Sequence, residues 1–377
     1  MMLPRMLQAE ILRRLRDDNR IVMLFGPRQS GKTTLSQEVI ALTGWRCLSL
    51  NGDNPEIVDR LTKPEASRLD GMVAGYEMLF LDEAQRIPDI GLTLKRIHDA
   101  SPELKILVTG SSSLELAAGT REPLTGRTWT YTLLPIGFCE LAVVENSFEL
   151  DGRLKETLVL GSYPALFSIA NRENRIRHLS EIAEAYLYRD ILELGGIRNP
   201  KKLRDLLRLL AWQVGGEVSY QELAAKCSLS ADTVISHIDL LEKSYVVFRL
   251  GGYSRNLRKE VTRKDKVYFY DNGIRNALIG NFSELEFRND QGALWENFLV
   301  SERKKKLLYS GTRASQYFWR IHTGAELDYL EESDGVLSGY EFKWSKKKAA
   351  PPKSFMEAYP GSGFACVTKD DYLNFVS

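Results

Sequence analysis

The stretch FGPRQSGKTT (Phe25–Thr34) holds two glycines, a lysine and two threonines in order. Gly26, Gly31, Lys32 and Thr33 satisfy G-x-x-x-x-G-K-[ST]. The apolar run IVMLF leads straight into it and the helical LSQEVIAL follows, which is the strand–loop–helix setting the motif requires. Glycines let backbone N–H groups turn inward around phosphates, and the helix behind them offers its positive end. Lys32 is placed to reach the β- and γ-phosphates, and the Thr33 hydroxyl to ligate Mg²⁺. The nucleotide-binding set expected is Gly26, Pro27, Arg28, Gln29, Ser30, Gly31, Lys32, Thr33 and Thr34.

Further along, LFLDEAQ ends an apolar run in Asp82, which can hold Mg²⁺ with Thr33, and Glu83, which can polarise an attacking water. KILVTGSS places Thr109, Ser111 and Ser112 at the end of a third run. One of these hydroxyls, Ser111 by preference, could sense the γ-phosphate, although a plain turn explains them as well. GTREPLTGRTWTY offers Arg121 and Arg127, of which Arg127 is the candidate finger onto a neighbouring subunit's nucleotide.

A second constellation lies in AELDYLEESDGVLSGYEFKW (Ala325–Trp344). In a strand of period two, Tyr340, Phe342 and Trp344 face the core while Glu341 and Lys343 share the opposite face. In AELDYL, Leu327 and Tyr329 point one way, and Glu326 and Asp328 the other. If these strands pair, Asp328, Glu341 and Lys343 converge, and a helix through GALWENFLVSERKKKLL aims Glu296 at the same corner. The order is similar to the PD-(D/E)XK arrangement of restriction-endonuclease-type nucleases. There the carboxylates would hold Mg²⁺ and the lysine would orient water or neutralise developing charge. The wet face of any hairpin also displays acids and lysines.

These residues need elements to position them. From Ile21 to about Gly137, IVMLFG, YEMLFLDE and KILVTGSS read as buried strands, and Ile90, Leu94 and Ile97 share a helical face between the second and third. Strand–helix–strand repetition predicts a parallel sheet covered by helices. Leu7, Ile11, Leu12 and Leu15 give a leading amphipathic helix. After LLPIGFCEL the pattern turns helical, and GGEVSYQELAAKCSLSADTVISHIDLLEKSYVVFRLGGYS reads as a winged helix-turn-helix. KVYFYDNG, QYFWRIHTG, ELDYLEE, GYEFKW and GFACVT read as strands around a long helix at Gly292–Lys306. The fold class expected is therefore α/β. A P-loop ATPase domain (1–145) precedes a helical region (146–255) with the winged helix near 215–255, and a nuclease-like α/β domain (256–377) follows.

The chain has 377 residues, 44% hydrophobic and 27% charged, with a net charge of +1, so global charge implies no polyanionic partner. Arg255–Lys266, Arg303–Lys306 and Lys343–Lys353 are local basic stretches. The second helix of the presumed winged unit carries Asp232, Thr233, Ser236, His237 and Asp239 and no arginine. That favours an intramolecular or subunit contact over DNA readout. Phosphate contacts, if made, fall to Arg255–Lys266 or Arg303–Lys306. Four separated cysteines and four scattered histidines argue against a zinc or disulfide framework and fit a cytoplasmic protein. No apolar run is long enough for a membrane span, and no signal peptide opens the chain.

GPRQSGKTTL, FLDEAQRIPD, LVTGSSS and LTGRTWTYTLLPIGFCEL together resemble a family of bacterial and archaeal AAA-type ATP-binding proteins. GSYPALF, YRDIL, VYFYDNGIRNAL and LWENFLVSE extend the resemblance along nearly the whole chain. It implies an ATPase domain followed by a winged-helix region and a C-terminal domain of unknown function. It also implies ATP and Mg²⁺ as cofactors and hydrolysis as the reaction. The partners expected are ATP, DNA or RNA, and further copies of the chain. The function expected is an ATPase that couples its nucleotide state to its C-terminal modules and acts on nucleic acid, with an ATP-regulated nuclease and a nucleotide-dependent protein scaffold as the alternatives.

Overall fold

Three runs that are apolar along their length form the centre of the first sheet. They are β1 (Ile21–Phe25), β3 (Met78–Asp82) and β4 (Lys105–Gly110), buried almost throughout. The computed structural model describes residues 3–62, 65–111, 124–185, 199–254, 265–321, 324–345 and 349–377. Ser112, Arg121 and most of the basic run Arg255–Lys266 therefore lie outside the described residues.

The sheet has the order β2-β3-β4-β1-β5, and every pairing in it is parallel. β2 (Cys47–Asn51) and β5 (Thr128–Thr132) are its edges. Neither reads as a continuous apolar run, because an edge strand is half solvated and mixes polar with apolar residues. Helices cover both faces, as the alternating pattern predicts. α1 (Leu7–Asp17) buries Leu7, Ile11 and Leu15 against one face, where α2 (Lys32–Thr43) adds Leu35 and Val39. α3 (Pro55–Leu61), α4 (Ala66–Val73) and α5 (Ile90–Ala100) occupy the other, with Ile90, Leu94 and Ile97 buried. The carboxyl ends of β1, β3 and β4 lie at one edge, where ligands of open parallel sheets bind.

Next come α6 (Phe138–Leu141), α7 (Ser147–Leu160), α8 (Arg172–Ala185) and α9 (Pro200–Trp212). α10 (Tyr220–Cys227) and α11 (Ala231–Lys243) follow, each capped by a serine, Ser219 and Ser230. Then β6 (Val247–Gly252) pairs antiparallel with β7 (Lys266–Phe269). α12 (Asn272–Ile279) and the 20-residue α13 (Gln291–Ser310) lead into β8 (Ser315–Arg320), β9 (Glu326–Ser333) and β10 (Val336–Lys343). α14 (Lys353–Ala358), β11 (Gly363–Thr368) and α15 (Leu373–Val376) finish the chain.

The second sheet runs β11-β10-β9-β8-β6-β7. β6 and β7, on either side of the boundary expected near residue 255, belong to it. One hydrophobic core joins Phe138, Leu207, Ile238, Phe248, Trp295 and Phe342, so the helical region and the C-terminal sheet pack as one body.

Candidate nucleotide site and C-terminal acid cluster

The backbone between β1 and α2 turns through positive φ at Gly26, Gln29 and Gly31. Gly26 has φ +149°, and a Cβ there would fall 2.0 Å from the Leu133 carbonyl oxygen. No side chain fits, because the chain after β5 is tied to β1 through Leu133 N donating to Phe25 O at 2.7 Å. Gly31, at φ +95°, caps α2 in a left-handed conformation that glycine adopts without penalty. The Lys32 ammonium, 4% exposed, donates to the carbonyls of Gly26 (3.0 Å) and Pro27 (2.8 Å) and so closes over the loop.

The other predicted residues gather at the same edge. Thr33 Oγ1 donates to Asp82 Oδ2 at 2.9 Å, so the two oxygens suited to Mg²⁺ adjoin each other. Thr109 Oγ1 donates to the other Asp82 oxygen and accepts from Glu83 N at 3.3 Å. Glu83 sits at φ +51° just past β3. Gln85, quoted within DEAQ but given no role by the motif, proves central. Its amide donates both to Glu83 Oε2 (2.5 Å) and to Ser111 Oγ (3.0 Å), linking the candidate water-polarising acid to the candidate sensor. A cleft of about 320 Å³ opens beside the loop, lined among others by Leu3, Gly31, Thr34, Glu38, Arg153 and Phe167.

Arg127 lies elsewhere. It precedes β5 and pairs with the start of β1 through Ile21 N donating to Arg127 O at 2.9 Å. That is a strand's length, about 16 Å, from the phosphate loop of its own chain. Its guanidinium donates to Asp99 at 3.1 Å on the surface. In its own subunit it contributes nothing to the site.

In the C-terminal sheet, Glu296, Asp328, Glu341 and Lys343 converge, joined by Lys266. Lys266 donates to Glu296 at 3.1 Å and Tyr268 OH donates to the same oxygen at 2.7 Å. Lys343 donates to Glu341 at 2.6 Å. Asp328 accepts the Phe342 backbone N–H at 2.7 Å, standing in for a ladder carbonyl where the β9–β10 pairing stops. A register shift between β8 and β9 sets this up, and a bulge re-aims side chains. Hence Leu327 and Tyr329 do not share a face, as strict alternation would have them. Leu327 packs with Trp319 and Phe355, and Tyr329 with Phe342 and Phe375. Burial, then the charges of Glu296 and Glu341, push the Asp328 carboxyl up to about 7. Each acid is thus engaged by a lysine, a tyrosine or an amide. Among the described residues no group of three His, Cys, Asp or Glu side chains is arranged to hold a metal ion.

The stretch Arg303–Lys306 is not a basic face for phosphates. Arg303 donates to both oxygens of Glu331, at 2.6 and 2.7 Å. Lys304 lies over the Phe248 ring, Lys305 is 1% exposed, and Lys306 donates to Asn374 O. Two acids of α11 are likewise engaged internally, with Asp239 and Glu242 both accepting from Arg249 of β6. Among the described residues no helix is long and apolar enough to cross a membrane.

α13 also reaches the first domain. Glu302 accepts the Phe138 N–H at 2.6 Å and Lys305 Nζ at 2.6 Å, and Lys305 also donates to Ser162 Oγ at 3.3 Å. Burial pushes the Glu302 carboxyl up, and the Lys305 charge opposes it.

Residues 18–142 match the family model described as an AAA domain, and two domains of unknown function match at 151–285 (DUF8612) and 291–375 (DUF4143). An uncharacterized protein of Mycobacterium tuberculosis, Rv2008c, is 30% identical over 349 residues, covering 91% of this chain and 74% of the relative. The uncharacterized protein MJ1544 of Methanocaldococcus jannaschii is 24% identical over 354 residues, covering 88% and 77%. Among solved structures, the Walker-type ATPase PABY2304 of Pyrococcus abyssi matches with a TM-score of 0.48 at 15% identity, covering 72% of this chain and 94% of that one. The chain belongs to the family of these mycobacterial and archaeal relatives, in which an AAA-type ATPase domain precedes C-terminal domains of unknown function.

Proposed function

We propose that the protein binds ATP with Mg²⁺ at the Gly26–Thr33 loop, hydrolyses it, and passes the nucleotide state to its C-terminal modules. The observation that carries this reading is the meeting of Lys32, Thr33, Asp82 and Glu83 at the carboxyl edge of one parallel sheet. Thr33 and Asp82 would hold the ion, which would supply charge neutralisation on the phosphates. Lys32 would leave the loop carbonyls for the β- and γ-phosphates, a short swing of an ammonium that already spans the cradle. Glu83, oriented by Gln85, would take the proton of the attacking water, and Ser111 would register the γ-phosphate through the same amide. The adjoining cleft leaves room for the nucleoside.

Coupling rests on α13. Its middle meets the first domain at Phe138 through Glu302, and its N-terminal third carries Glu296 into the acid cluster. A helix of this length transmits a displacement as a rigid body. Arg127, remote from its own loop, serves only in an oligomer, as a finger onto a neighbour's nucleotide.

A second reading, an ATP-gated nuclease, draws support from the convergence of Glu296, Asp328, Glu341 and Lys343. It ranks behind the first because those carboxylates are already engaged and present no group arranged for a metal. Among the described residues nucleic acid draws little support, since the basic run on α13 is engaged within the chain.

ATP turnover with and without single- and double-stranded DNA and RNA, together with plasmid cleavage in Mn²⁺, separates these readings. Turnover lost in Lys32→Ala without plasmid cleavage supports the switch. Cleavage abolished by Asp328→Ala would replace it with the nuclease, and slow turnover indifferent to every nucleic acid points to a protein partner.

A further inference from the structure

Where a peptide of a phosphate cradle turns its N–H inward, the carbonyl of that same peptide points outward. An outward carbonyl that is also buried needs a donor from the surrounding protein. At Ser30, which is fully buried, that donor is Arg5. Arg5 stands before α1, outside every motif in the sequence. Its Nη1 donates to Ser30 O at 2.7 Å, its Nη2 to Leu134 O at 2.7 Å, and its Nε to Glu140 Oε1 at 3.0 Å. The guanidinium side chain is 7% exposed and the Glu140 side chain not at all. Glu140 is itself fixed, accepting from Met6 N and from Gly137 N, each at 3.1 Å. Arg5 therefore bolts three segments together: the phosphate loop, the chain leaving β5, and α6. Arginine suits this place because its planar fork presents donors in fixed directions.

Across a trans peptide the carbonyl and the following N–H point in opposite directions. Holding Ser30 O outward therefore turns the Gly31 N–H inward. Gly31 has the left-handed φ that would let this peptide swing easily, and Arg5 Nη1 lies only 3.4 Å from where a Gly31 Cβ would be. We propose that Arg5 is a positioning residue of the nucleotide site, fixing the Ser30–Gly31 peptide so that its N–H faces the phosphates. The proposal rests on the ATP reading above and adds to it a residue that touches no phosphate. Without the clamp the loop spends only part of its time competent, and apparent affinity falls by that fraction.

The test uses the full chain with labelled ATP in magnesium, in four forms: unmodified, Lys32→Ala, Arg5→Lys, and Arg5→Met combined with Glu140→Gln. The double substitution removes the buried pair together, so no charge is stranded. The expected result is a rise in Kd and KM of roughly tenfold or more in the double variant and less in Arg5→Lys, the size of a lost charge-assisted hydrogen bond. kcat should stay within about twofold, because the loop grips ground and transition states alike. ATP affinity within about twofold of the unmodified protein in a folded Arg5 variant would overturn the proposal. So would a fall in kcat at unchanged KM, the mark of less competent protein, or failure of both variants to fold, since each makes Arg5 merely structural. If Lys32→Ala loses ATP while the Arg5 variants keep it, only this inference falls. If the unmodified protein retains no ATP, both fall.

Discussion

Glu83 and Asp328 are both carboxylates close to a strand end, and their surroundings give them different work. Glu83 is tethered by a single amide from Gln85 at the edge of the cradle, where a water could reach it. Glu83→Gln should therefore keep ATP binding but lower turnover by about a hundredfold or more, measured as steady-state phosphate release. Undiminished turnover would remove Glu83 from the mechanism. Asp328 is held the other way, with burial and two neighbouring acids favouring its neutral form. Its folded pKa of about 7 lies above the unfolded value near 4, so the stability it contributes is full below about pH 4 and is lost as pH rises towards 7. In metal-free buffer the unfolding free energy of the native chain, from urea titrations, should fall between pH 5 and 8 relative to Asp328→Asn by on the order of 2 kcal/mol. Parallel pH profiles would contradict the placement. Lys32, Thr33, Asp82 and Glu83 were legible in the sequence because a phosphate loop and an acidic strand end are local patterns. Arg5, Gln85 and Lys266 were not. Arg5 meets Ser30 and Glu140 only through the fold, and nothing in the residues around Lys266 names Glu296 as its partner.

Among the elements, α13 touches both halves of the chain, at Phe138 through Glu302 and in the acid cluster through Glu296. Its middle holds a buried ion pair, Glu302–Lys305, with both side chains almost wholly covered. Such a pair stabilises little against an apolar replacement, but breaking it strands a charge. Lys305→Met should cost about 3–5 kcal/mol by chemical denaturation, and adding Glu302→Leu should recover much of it. Additive costs would show that the two do not act as a pair. The sequence announced α1 through its helical spacing of Leu7, Ile11 and Leu15, and the central strands through continuous apolar runs. It did not announce β2 and β5, whose solvated faces interrupt the apolar run, nor the shift beside Asp328 that re-aims Leu327. Nor did the lysine-rich end of α13 disclose that its cations are used internally, because charge in a sequence carries no record of where it points.

For the whole molecule, the fixed features are a nucleotide edge on the first sheet, an acid cluster on the second, and a helix touching both. The surface ion pair of Arg127 with Asp99 lies at the far side of the first sheet from the cradle. If copies assemble with that side against a neighbour's nucleotide, Arg127→Ala and Lys32→Ala should each be inactive alone. Mixed, they should recover part of the turnover, because the Lys32→Ala subunit still offers Arg127 to an intact loop. No recovery in subunits shown to exchange would remove Arg127 from the reaction. The most direct measurement of all is equilibrium retention of labelled ATP by the native chain in magnesium, beside Lys32→Ala. The account predicts saturable, stoichiometric binding that the alanine variant loses, whereas no binding, or equal binding by both forms, would contradict it.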